Sequence, residues 1–210
     1  MRRKRVWIAA LAGAGLVAGL AGGLWARDTE TPEFERLAGL LEIGTGSRVA
    51  EIGAGKGAMA LRAAEKVGPS GRVFATEVEE DKLDAIHRGA ENRRIGNITV
   101  LEGGETDTAL AEGCCDAVYM RKVYHHITHP AEINRSIHRA LVPGGRVAVI
   151  DFPPRFWLAP WKPKGVPKNR GGHGVPLPVV IEEMRAAGFD VVQVVAHWPG
   201  VNYCVVFRKR

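Results

Sequence analysis

The chain has 210 residues, 46% hydrophobic and 25% charged, with 26 glycines and 12 prolines. These values exclude collagen-like, low-complexity and disordered classes and leave room for one compact unit plus a tail. The net charge is +6, but Arg2, Arg3, Lys4 and Arg5 at one end and Arg208, Lys209 and Arg210 at the other account for it. A phosphate-tracking surface needs a basic stripe on a folded face, so nucleic acid is not an expected partner.

Behind the basic start, Val6–Trp25 runs for 20 residues without a charge. At about 1.5 Å per residue such a helix spans about 30 Å, the thickness of a hydrocarbon core. Trp7 and Trp25 mark its two ends, where indole rings favour the interface. Residues 1–26 are therefore expected to form a single-span membrane anchor; the alternative is a signal segment cleaved on export. Gly15, Gly19 and Gly23 recur every four residues and would line one helix face, a route to an oligomer. The polar stretch from Arg27 to Pro32 predicts a linker over 27–36, with one domain over 37–210.

Within that domain, short apolar runs alternate with helical periods. Arg48–Ile52 reads as a strand, followed by a glycine turn and a helix through Val67. Arg72–Thr76 is a second strand, and Glu79–Arg93 a helix with Leu83, Ile86 and Ala90 on one side. Asn97–Leu101 and Ala117–Met120 read as further strands, with a helix near Pro130–Leu141. Pro143-Gly144-Gly145 turns the chain into Arg146–Ile150. This alternation predicts a doubly wound α/β fold with a mostly parallel sheet. The rhythm breaks at the end: Asp190–Ala196 and Asn202–Arg208 are joined by so short a link that they must pair antiparallel. The proline-rich stretch Phe152–Pro178 reads as a long ordered loop or lid. Cys114, Cys115 and Cys204 show no C-x-x-C spacing and no His-rich partner set, so reduced thiols and no metal are expected.

The strongest chemical signal is Glu51-Ile52-Gly53-Ala54-Gly55-Lys56-Gly57. Its glycines fall where a strand must bend and let a ligand approach the backbone, and the next helix points its free amides at that ligand. Glu77 closes the second strand, where a carboxylate can accept both hydroxyls of a ribose. Glu51 lies near enough to the turn to receive a cationic group. A nucleoside carrying an amino acid fits this pair better than a pyrophosphate does.

The segments Val49–Ala60 (VAEIGAGKGAMA) and Phe74–Leu83 (FATEVEEDKL) resemble the first two motifs of class I S-adenosylmethionine-dependent methyltransferases. Cys115–Met120 is similar to their fourth strand, and Leu141–Arg146 to the approach to their fifth; the likeness runs from Leu37 to Arg210. It implies a seven-stranded, Rossmann-like sheet with a C-terminal antiparallel hairpin and S-adenosyl-L-methionine as cofactor. Glu51, Gly53, Ala54, Gly55 and Gly57 would surround its methionine part and Glu77 its ribose, with Val78 and Arg121 in the same set. The family's usual Gly-Asp pair after the third strand is replaced by Gly103-Gly104-Glu105-Thr106-Asp107. The adenine acceptor is then Glu105, Asp107 or a backbone carbonyl near Gly104.

After the fourth strand comes Arg121-Lys122-Val123-Tyr124-His125-His126-Ile127, which in related enzymes lies beside the transferred methyl. Tyr124, His125 or His126 would supply a base if the acceptor carries a proton; the alternative is that these rings pack between helix and sheet. His173 either reaches the site from the lid or is solvated. Phe152, Phe156, Trp157 and Trp161 form an apolar acceptor pocket, touch the membrane, or anchor the loop. The expected function is methyl transfer to a small or lipid-like acceptor. The alternatives are a protein-L-isoaspartate O-methyltransferase, which the first half also resembles, a membrane-tethered nucleoside-binding protein without turnover, and a nicotinamide oxidoreductase. The basic start favours a domain outside the membrane, whereas this cofactor is made in the cytosol, so the side stays open.

Overall fold

The computed structural model describes residues 30–155, 164–200 and 202–210. Among these no helix is long and apolar enough to cross a membrane. The expected span at 6–25, its glycine-spaced face, and Phe156, Trp157 and Trp161 lie outside the described residues.

Seven strands form one sheet: β1 (Arg48–Ile52), β2 (Arg72–Glu77), β3 (Ile98–Glu102), β4 (Cys115–Arg121), β5 (Leu141–Asp151), β6 (Phe189–Trp198) and β7 (Asn202–Lys209). Their order is β3-β2-β1-β4-β5-β7-β6. Neighbours from β3 to β5 pair in parallel, whereas β7 runs antiparallel to both β5 and β6. Among the described residues the α-helices are α1 (Glu30–Leu41), α2 (Ala58–Val67), α3 (Glu80–Arg93), α4 (Pro130–Ala140) and α5 (Leu177–Ala186). The mostly parallel sheet and terminal hairpin agree with the sequence expectation.

Successive side chains of a strand face opposite ways, so each buried strand feeds two cores. Val49, Tyr119, Ala148, Ile150 and Val206 meet Phe34, Leu37 and Leu41 of α1, Met59 and Ala63 of α2 and Ile86 of α3. Ala50, Val118, Met120, Val147, Val149 and Phe207 meet Ile133 and Ile137 of α4 and Val180 and Met184 of α5. The sheet is thus covered on both faces.

Three elements depart from the sequence reading. Helix α1 begins inside the stretch expected to be a linker (27–36), and Phe34 is only 2% exposed. The Pro143-Gly144-Gly145 turn is absorbed into β5, where the pairing with β4 jumps from Cys115↔Leu141 to Ala117↔Arg146. The expected lid over 152–178 ends in the first turn of α5, and its part from 164 onward is tied down. Arg170, wholly buried, pairs with Glu183, and the Tyr203 hydroxyl donates to the Val175 carbonyl at 2.8 Å. All three cysteines carry free thiols: Cys115 and Cys204 are buried, Cys114 half-buried. Burial pushes the Cys204 thiol up to about 12.

Candidate active site

Strand order reverses between β1 and β4, and in an open α/β sheet ligands bind at the carboxyl ends of the strands beside such a switch. Here β1 and β4 run side by side to Ile52↔Met120, so the loops that follow them face each other. The approach is close: a Cβ on Gly53 would lie 2.5 Å from a Val123 methyl, and Gly53 has φ +69°. Only glycine meets both conditions at low cost. Gly57 donates to the Ala54 carbonyl at 2.9 Å and opens α2 from a left-handed conformation, with Ile86 packed where a side chain would project.

Above this turn lies a cavity of about 480 Å³, within the size of small-molecule and cofactor sites. Gly53 and Gly55 form its floor. Glu77, Val78, Glu79 and Lys82 line one side, Gly103, Gly104, Glu105 and Asp107 the end, and Arg121, Lys122, Val123, His126, Ile127 and Thr128 the other side. Glu77 is 6% exposed and fixed by two backbone donors: the Gly55 N–H reaches Oε2 at 2.7 Å and the Val78 N–H reaches Oε1 at 2.8 Å. One carboxylate therefore clamps the end of β2 to the turn after β1. Each oxygen keeps acceptor capacity for a ligand. Val78, 60% exposed, presents an apolar side chain at the cavity edge.

Across the cavity the chain after β4 forms a short 3-10 turn, Tyr124–His126. Its rings part ways. The Tyr124 hydroxyl donates to Glu183 at 2.9 Å and accepts from Asn134 at 2.7 Å. Burial foremost, and then the Glu183 carboxylate, raises this phenol far above its ordinary range. Buried His125 uses Nδ1 toward both oxygens of Asp151, at 2.9 and 3.1 Å, and its own N–H reaches Asp151 Oδ2 at 3.1 Å. His126 lies against His125 in a tilted contact, with ring centroids 4.1 Å apart. Burial on one side, then the adjacent His125 and His173 rings, push its imidazole down to about 4, so it is neutral at neutral pH.

Residues 49–145 match the family described as methyltransferase domain. The chain is 31% identical over 111 residues to the ubiquinone/menaquinone biosynthesis C-methyltransferase UbiE of Pseudomonas entomophila (strain L48), covering 52% of this chain and 43% of that protein. It is 28% identical over 130 residues to nocamycin O-methyltransferase of Saccharothrix syringae, covering 62% of this chain and 46% of that protein. The chain thus spans less than half the length of these curated relatives. The crystal structure of a SAM-dependent methyltransferase from Aquifex aeolicus superposes with a TM-score of 0.71 at 20% identity, over 87% of this chain and 94% of that one. The fold is that of the class I S-adenosylmethionine-dependent methyltransferases.

Within this methyltransferase fold, the expected site residues divide. Gly53, Gly55, Glu77, Val78, Gly104, Glu105, Arg121 and His126 line one cavity. Ala54 and Gly57 shape the turn without lining it. Glu51, expected to meet a cationic group, sits 3% exposed behind the wall, where the Tyr119 hydroxyl donates to it at 3.2 Å. The cause is strand alternation: Glu51 shares the face of Val49, toward the α1 core. Tyr124 and His125 belong to packed networks and do not reach the lining, so the packing alternative describes them in this structure.

Of the adenine candidates, Asp107 is occupied. Its Oδ1 accepts from the Ala109 N–H at 2.8 Å and its Oδ2 from Arg139 at 2.9 Å. Glu105 remains exposed at the cavity end. Sequence reading missed Asp151 and Glu33. Glu33 accepts two bonds from Arg121, at 3.0 and 2.8 Å, and one from the Trp198 indole at 2.7 Å. Both acids act through long-range contacts, and nothing local marks them.

Proposed function

We propose that this chain transfers a methyl group from S-adenosylmethionine to a small-molecule acceptor presented at the His126 side of the cavity. The observation that carries the reading is Glu77, held by the Gly55 and Val78 amides at the end of β2 with free lone pairs on the cavity. Such a carboxylate suits the paired hydroxyls of a ribose. When bound, the cofactor supplies an electrophilic methyl on a sulfonium sulfur.

The chain's own residues divide the remaining work. Glu77 would hold the sugar, Val78 would cover one face of the base, and Glu105 would be left to accept from its amino group. The glycines of the turn let the ligand lie against backbone amides. Methyl transfer needs in-line positioning above all, and the two facing loops set the distance between donor and acceptor. An acceptor bearing O–H or S–H must also lose a proton there, and the neutral imidazole of His126 is what this wall offers. Relatives named for C- and O-methyl transfer support a small-molecule acceptor. The uncharged run at 6–25 supports membrane attachment and an acceptor that partitions into lipid.

Calorimetry of the full chain with S-adenosylhomocysteine tests the reading, followed by incubation with methyl-labelled cofactor and a panel of phenols, quinols and thiols. The expected result is one-to-one binding and label transferred to an apolar member of the panel. Absence of binding would overturn it.

A further inference from the structure

The geometry points to a divalent transition-metal site, of the kind that takes Zn(II), formed by His125, His126 and His173 beside the cofactor cavity. His125 and His126 follow β4, while His173 comes from the far segment after β5. An antiparallel bridge, Arg155↔His173, with the Arg155 N–H on the His173 carbonyl at 3.1 Å, brings it in. The neighbouring glycine permits the approach: a Cβ on Gly174 would lie 2.8 Å from the Phe152 carbonyl oxygen. The His125 ring centroid is then 4.1 Å from that of His126 and 5.0 Å from that of His173.

One ring nitrogen from each residue lies within 4.8 Å of the others. A tetrahedral zinc with Zn–N of about 2.0–2.1 Å holds its nitrogens roughly 3.3 Å apart, so the trio must close by a modest amount. The two partly exposed rings, His126 and His173, provide that movement. His125 is already oriented by its Nδ1 contacts to fully buried Asp151; in the tautomer protonated at Nδ1 it presents Nε2 as a lone pair, the carboxylate–histidine arrangement that supports metal ligands. His173 Nδ1 is enclosed without a hydrogen-bond partner. An orphaned buried nitrogen among two other imidazoles calls for an ion or a water. Three imidazoles suit Zn(II), Cu(II), Ni(II) or Fe(II) rather than Mg(II) or Ca(II), and three ligands leave a fourth position open.

Resting on the methyl-transfer reading above, that open position takes the acceptor. A metal-bound O–H or S–H is acidified and releases its proton to solvent. Its lone pair then forms the new bond to the methyl carbon while the carbon–sulfur bond breaks, returning its electron pair to sulfur.

The test uses tag-free full-length protein, freed of metal by a chelator, titrated with Zn(II) against a chromophoric competitor and with Co(II) by visible spectroscopy. One equivalent should bind with tetrahedral Co(II) bands and no thiolate charge-transfer band. His173→Ala and His126→Ala should each weaken Zn(II) by more than the roughly 10–100-fold that loss of an outer partner costs, and Asp151→Asn by an amount inside that range. No binding, or binding unchanged in His173→Ala, overturns the site. A thiolate band would assign the metal to Cys114–Cys115 and equally overturn it. Metal binding without S-adenosylhomocysteine binding would overturn the methyl-transfer reading alone.

Discussion

Replacing Glu77 separates ligand recognition from folding. The side chain accepts two backbone bonds, at 2.7 and 2.8 Å, and lines the cavity. If both ribose hydroxyls also donate to it, Glu77→Ala removes two bonds to a charged acceptor at about 1.5–3 kcal/mol each, so at least about 3 kcal/mol. That corresponds to roughly 100-fold or more in the Kd for S-adenosylhomocysteine. Glu77→Gln keeps one acceptor oxygen and nearly the same volume, and should cost about one bond, roughly tenfold. The Gly55 and Val78 amides released by either change face a wet cavity, so water can replace the lost acceptor and the melting temperature should fall little. Calorimetry below the melting temperature of each variant reads the affinity. A Glu77→Ala protein that melts normally and binds within about threefold of wild type would refute the ribose assignment.

Phe34 is 2% exposed in a helix that begins where a linker is expected, and Phe34→Ala should cost about 3–5 kcal/mol in denaturant unfolding. A loss below about 1 kcal/mol would mean that α1 contributes little to the fold. For Gly53→Ala, the left-handed backbone alone costs about 1–2 kcal/mol, and the Cβ meets Val123 besides. Adding Val123→Ala should restore part of the S-adenosylhomocysteine affinity, and no restoration would separate the two loops. Burial alone would raise the Glu33 carboxyl, but bonds from Arg121 and then Trp198 hold it below its ordinary 4.5. A carboxyl depressed in the folded state contributes stability that is complete above that value and lost as pH falls through the folded one. Glu33→Gln should therefore lower the melting temperature most at neutral pH and progressively less below pH 4.5. An equal deficit at pH 7 and pH 3 would refute the pairing.

What was legible in the chain is what depends on near neighbours. Alternation within Arg48–Ile52 and Arg72–Glu77, the glycine turn between them, and the short link before Asn202 are local, and the structure keeps them within a residue or two. Helix α1 has a local signal as well, which the linker expected over 27–36 leaves out. Phe34, Leu37, Ala38 and Leu41 recur at the spacing of one helical face. Thr31 and Pro32 before them read as a linker, yet a proline in the first turn of a helix costs nothing because its missing N–H would have no partner there.

The site divides along the same line. The place of Glu77 was legible because it ends a strand beside the glycine turn. The placement of Glu51 was not legible, because being two residues from Gly53 says nothing about facing it: in a strand, position 51 shares the side of 49, and the cavity lies at the strand's end. The histidine cluster lies furthest from anything local. His173 is separated from His125 and His126 by α4 and β5, and it arrives only because the segment after β5 folds back through Arg155. Tyr124 adjoins His125 in sequence yet points into the α4–α5 layer, toward Asn134 and Glu183. Adjacency in the chain therefore groups Tyr124 with two histidines from which the fold separates it. The cluster that the fold builds exchanges Tyr124 for His173, and with it a lone phenolic base for a third imidazole.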